Sequence, residues 1–112
     1  MAAACADPNN GAMQATGQSG TDHSTRVRYA VVTPEAISAA EVARLVDDPR
    51  AGAVVTFSGD VRDHDHGRQV LHLDYEAHPT AGDLLAVVAA EVAERFDVIA
   101  VAVAHRTGPL AI

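Results

Sequence analysis

Gly59-Asp60-Val61-Arg62 is the stretch of this chain best equipped to hold an anion. It follows the apolar run Ala53–Ser58, which reads as a strand, so the glycine stands where a strand gives way to a loop. A glycine there lets the backbone turn and lets a ligand approach closely. Arg62 then sits at the mouth of the loop with its N–H donors in a fixed planar fork, suited to gripping a phosphate or carboxylate through paired bonds. The competing reading is a surface arginine neutralised by Asp60, Asp63 or Asp65. Position alone leaves both open.

Asp63, His64, Asp65 and His66, with His72 and His78 downstream, raise a metal site as a second chemistry. A zinc centre needs three or four ligands converging at bonding distance, and nothing in a polar loop followed by a strand fixes that convergence. A solvated or substrate-facing histidine loop is the simpler expectation, and no metal or cofactor is assigned. His105-Arg106 ends a long apolar run: the histidine suits a backbone-satisfied core position, and the arginine suits an anion pocket or a subunit contact. The single cysteine, Cys5, excludes an internal disulfide and a multi-cysteine zinc site, and in a polar tail it reads as a solvated bystander. There is no Gly-x-Ser-x-Gly elbow, no P-loop and no dinucleotide fingerprint.

All eight basic side chains are arginine, so no lysine in these 112 residues can act as nucleophile or acid. The formal net charge is −7, and such an acidic surface repels phosphate backbones, which argues against nucleic-acid binding. A local arginine cluster can still override that field for a small anion. No apolar run approaches the ~20 residues of a membrane span, and the first residues lack the basic start of a signal peptide. The expected compartment is the cytoplasm, with no membrane partner.

The elements that must position these residues follow from periodicity. Residues 1–25 are rich in Ala, Gly, Asn, Gln, Ser and Thr and show no period, so a disordered extension is expected there. Residues 26–112 are expected to form one domain. Arg26–Thr33 is β-rich and stops at Pro34. Ser38 and Glu41 have capping-box spacing, and Val42, Leu45 and Val46 make a stripe, which predicts a helix over Ala39–Asp47. Ala53–Ser58 is the next strand, and Gln69–Glu76 alternates in polarity, predicting a strand antiparallel to it. Pro79 and Thr80 open the longest helix, with Leu84, Leu85, Val88, Val92 and Phe96 as its expected buried stripe. Val98–Ala104 reads as a central strand, Thr107-Gly108-Pro109 as a turn, and Leu110–Ile112 as the opening of one more strand. The order β-α-β-β-α-β predicts an α+β domain with a mixed or antiparallel sheet, incomplete at its C-terminal end. A strand cut short after a tight turn also suggests a fragment or a truncated gene product.

Three segments together resemble the catalytic large subunit of molybdopterin synthase: Gly52-Ala-Val-Val-Thr-Phe-Ser-Gly-Asp-Val-Arg-Asp-His64, Leu73-Asp-Tyr-Glu-Ala-His-Pro79 and His105-Arg-Thr-Gly-Pro-Leu110. They occur in the family's order and spacing over about residues 27–112. The resemblance implies an α/β-hammerhead fold. It implies a sulfurtransferase of molybdenum cofactor biosynthesis that converts cyclic pyranopterin monophosphate to molybdopterin. The sulfur donor would be the thiocarboxylated C-terminus of a small ubiquitin-like subunit, and the large subunits would form a homodimer. The family's substrate-binding triplet falls on Asp60, Val61 and Arg62. Its second His-Arg pair and its catalytic lysine lie in a segment beyond those matched here; His105-Arg106 corresponds to the first pair. These 112 residues alone are therefore expected to be nearly inactive, with no catalytic residue assigned within them. Two other readings remain: a non-catalytic module that dimerises or holds the small subunit, and a metal-binding domain built on the histidine loop.

Overall fold

The computed structural model describes residues 1–6 and 26–112. In chain order the elements are β1 (Ala2–Ala6), β2 (Val27–Thr33), α1 (Ala39–Arg44), β3 (Ala51–Thr56), β4 (His64–Asp65), β5 (Arg68–Gln69), β6 (His72–Tyr75), α2 (Ala81–Arg95), β7 (Val98–Arg106) and β8 (Gly108–Ala111). The main sheet has the order β2-β7-β1-β3, and β4-β5 and β6-β8 form two separate ribbons. β2 runs parallel to β7, while β1 is antiparallel to both β7 and β3. The architecture is α+β with a mixed sheet, as the element order predicts.

β7 is central because its apolar run can be covered on both faces, and Val98, Ala100, Val101 and Ala102 are all buried. On one face Ala2, Ala4, Ala100 and Ala102 pack with Val42 and Val46, from α1 and the turn after it. On the other, Val98 and Val101 pack with Ala89 and Ala93 of α2, with Ala3 and Cys5 at the margin. The alternation along β1 puts the two helices on opposite faces of the sheet.

Several expectations change. Ala2–Ala6 is a strand inside the sheet, paired on both edges, and not part of a disordered extension; residues 7–25 lie outside the described residues. Alanine is a weak strand former, so its pattern gives no signal. What holds β1 is a double ladder and the room that only small side chains leave between two helices. Cys5 is accordingly half-buried beside the α2 core and not a solvated bystander. β6 does not pair with β3; it pairs with β8, Leu73 opposite Leu110 and Tyr75 opposite Gly108. The residues after Pro109 are therefore already in a ladder. On α2 the buried residues are Ala89 and Ala93, whereas Leu84, Val88 and Phe96 are exposed. The sheet beneath is surfaced by valine and alanine, and the helix approaches on its smallest residues.

α1 begins as its spacing predicts: the Ser38 Oγ accepts the Glu41 N–H at 3.3 Å. Its far end is clamped from β2. Arg28 donates to the carbonyls of Leu45 and Asp47 at 3.3 and 2.9 Å and to Asp48 Oδ2 at 2.7 Å. Arg50 donates to the same carboxylate through Nε and Nη2 at 2.8 and 2.9 Å. That turn delivers the chain into β3. No helix among the described residues is long and apolar enough to cross a membrane.

Candidate functional site

β3 leaves the sheet at Thr56, and the loop that follows forms one wall of a cavity of about 950 Å³. Asp60, Val61 and Arg62 all line it, together with Phe57, Ser58 and Gly59. The other walls come from β6 through Leu73 and Tyr75, from the end of β7 through Val103–Arg106, and from β8. The sequence triplet and His105-Arg106, separated by more than 40 positions along the chain, are thus brought to one concavity by the strand order.

Arg62 is 70% exposed, and its Nη2 donates to Asp65 Oδ1 at 3.2 Å. It lines the cavity and it touches an aspartate. The contact is a single one, and an exposed ion pair of this kind is worth about 0–1 kcal/mol. Asp60 does not pair with Arg62; its Oδ1 accepts from the Ser58 Oγ at 3.4 Å. A Cβ built on Gly59 would meet only the Phe57 ring edge, at 3.9 Å, so crowding does not demand glycine there. The missing side chain instead leaves the cavity wall open beside Arg62.

The histidines part company. His64 lines the cavity, but its Nδ1 is engaged with its neighbour Asp63 at 2.8 Å. His66 and Gly67 both have positive φ, 47° and 76°, which makes them the centre of the tight β4–β5 hairpin turn. His66 Nδ1 lies 3.0 Å from Asp65 Oδ2 and points along the ribbon's own acids. His78 Nδ1 is hydrogen-bonded to the Thr80 hydroxyl at 2.8 Å, before α2. Among the described residues no group of three or more His, Cys, Asp or Glu side chains is placed to hold a metal ion. The histidine loop is a hairpin tip, and the metal-binding reading has no geometric support.

His105 is exposed at the end of β7, and its ring lies 4.8 Å from that of Tyr75, tilted by 53°. Alternation in the sequence does not pair these residues, because with β3 as the expected partner of β6 nothing brings Tyr75 to the end of β7. The β6–β8 ladder, with Tyr75 opposite Gly108, is what carries the tyrosine to the end of β7. Gly108 has φ of 84°, a conformation glycine adopts without strain, and it turns the chain from β7 directly into β8. Arg106 lines the cavity as well, and its Nε is buried with no hydrogen-bond partner among the described residues. The cavity thus combines two guanidinium groups with an aromatic pair and aliphatic side chains. That combination suits a flat heterocycle carrying an anionic group.

A family model described as MoaE protein matches residues 32–112. Molybdopterin synthase catalytic subunit 1 of Mycobacterium tuberculosis is 38% identical over 86 residues, covering 75% of this chain and 58% of the relative. The molybdopterin synthase catalytic subunit of Bacillus subtilis is 35% identical over 80 residues, covering 70% and 51%. That of Arabidopsis thaliana is 44% identical over 66 residues, covering 58% and 33%. The chain spans about half the length of the curated relatives it matches.

Proposed function

The chain belongs to the MoaE protein family, and from that membership we propose that it serves molybdenum cofactor biosynthesis as a large-subunit sulfurtransferase of molybdopterin synthase. The substrate is cyclic pyranopterin monophosphate, and the sulfur donor is a small ubiquitin-like subunit with a thiocarboxylated C-terminus. The family domain is residues 26–112, and the working form is a cytoplasmic homodimer with a small subunit docked on each copy. The observation that carries this reading is the placement of Arg62 on the wall of a cavity, within one of the three segments that resemble the family. The loop Asp60-Val61-Arg62 holds the substrate phosphate, with the Arg62 fork as its donor. The pterin lies against the Tyr75–His105 wall. Exposed apolar side chains beside the site, Val55 at 63% and Phe57 at 72%, support a docked protein surface there.

The reaction builds negative charge on oxygen and sulfur, which a cation near the reacting centre stabilises. No lysine is present to supply it, so the 112 residues alone are expected to yield little molybdopterin. That same fact favours a second reading, in which this polypeptide binds the small subunit without turning substrate over. Mixing the purified chain with thiocarboxylated small subunit and precursor separates the two. Binding of both without product supports the second reading, whereas robust molybdopterin formation removes it and the expected need for lysine. Failure to bind precursor or small subunit defeats the proposal as a whole.

A further inference from the structure

Arg106 is the last residue of β7 and stands in register with Thr33 of β2. The next residue, Thr107, donates its N–H to the Thr33 carbonyl at 2.9 Å, so the backbone on both sides of the arginine is held by the sheet. Its Nε is buried and without a hydrogen-bond partner, and among the described residues no carboxylate lies within ion-pair distance of it. A charged donor left buried and unmet is costly, and native structures rarely keep one without a use. Arg62 is the opposite case: it is carried by a loop, mostly in solvent, and already touching Asp65. Both residues line the same cavity.

We propose that Arg106 is a second anion-binding residue of this cavity, a strand-borne guanidinium that receives a phosphate-type oxyanion, with Arg62 closing on the ligand from the loop. This rests on the cavity being the anionic substrate site proposed above. The division of labour follows from the supports. A residue whose backbone is held by a sheet presents its side chain from a set position, so it sets where the anion sits. A group on a loop can follow the ligand in and exchange one carboxylate contact for a stronger one.

The test titrates the full 112-residue chain, Arg106→Gln, Arg106→Lys and Arg62→Ala with two probes, cyclic pyranopterin monophosphate and inorganic phosphate, with thermal melts to verify folding. Loss of one charged hydrogen-bonding group predicts that Arg106→Gln weakens both probes by about tenfold or more. Arg106→Lys should recover only part of that, because the planar fork is lost. Should the glutamine variant not fold, the lysine variant decides: reduced affinity in a folded protein supports the proposal, and unchanged affinity overturns it. Precursor that binds wild type and Arg106→Gln equally, but Arg62→Ala poorly, overturns the role of Arg106 and leaves the proposed function standing. Phosphate binding that depends on Arg106 without any precursor binding does the reverse. No binding of either probe to the wild-type chain overturns the inference.

Discussion

Arg62 meets Asp65 through one contact, Nη2 to Oδ1 at 3.2 Å, with both side chains largely in solvent. A pair this exposed contributes about 0–1 kcal/mol, so a phosphate offering two acceptors displaces it readily. Arg62→Ala is expected to weaken cyclic pyranopterin monophosphate binding by about 1.5–3 kcal/mol, the worth of a charged hydrogen bond. Its melting temperature should hardly move. Titration calorimetry beside thermal melts checks both, and unchanged affinity takes Arg62 out of the site.

If Arg62 holds the substrate phosphate as proposed, Asp65 competes with it for the same guanidinium. Asp65→Ala is therefore expected to tighten precursor binding, by no more than about 1 kcal/mol, the upper worth of the exposed pair it removes. If affinity falls instead, Asp65 orients Arg62 for the ligand and is not its rival.

β1 offers a stability test away from the cavity. Ala4 is fully buried between β3 and β7, against the α1 side of the core. Ala4→Val adds two methyl groups where only a methyl fits and should cost about 1–3 kcal/mol in chemical denaturation. A neutral result would mean that β1 is not held in the sheet.

Much of the fold was legible because long apolar periods leave few choices. Val98–Ala104 announces a covered strand, Ser38 with Glu41 announces a helix start, and Ala53–Ser58 announces the strand that presents Arg62. What escaped was pairing. Alanine carries neither a strand preference nor a polarity contrast, so Ala2–Ala6 resembled a tail until two neighbouring strands were there to hydrogen-bond it. The alternation in Gln69–Glu76 fixed a face but not a partner, and the partner proved to be β8. At the site, the glycine-arginine loop could be read from residue types alone. For Arg106 residue types leave an anion pocket and a subunit contact both open, because an unmet Nε is a property of the packed chain.

Asp48 predicts a pH dependence. Its side chain is only 8% exposed, and Arg50 and then Arg28 donate to it. The Arg50 side-chain and backbone donors, with Arg28 added, hold its carboxyl well below the usual carboxylate range. The stabilisation is fully present above the ordinary aspartate value of about 3.9 and is lost as the pH falls through the depressed folded-state value. Asp48→Asn should therefore melt below wild type at neutral pH, and the gap should narrow steadily in strong acid. A gap that stays constant on acidification would show that charge at this turn does not matter.

The middle of the sheet has a consequence for how the molecule assembles. Ala2 lies opposite Thr56 on one side and Ala102 on the other, so the earliest of the described strands to be synthesised meets its second neighbour only when nearly all of the 112 residues exist. Closure across such separations pays its loop entropy before any ladder rewards it. Pairing of β1 with β7 should therefore be slow for a domain of this size, with the facing edges of β1 and β2 left unpaired until β7 arrives.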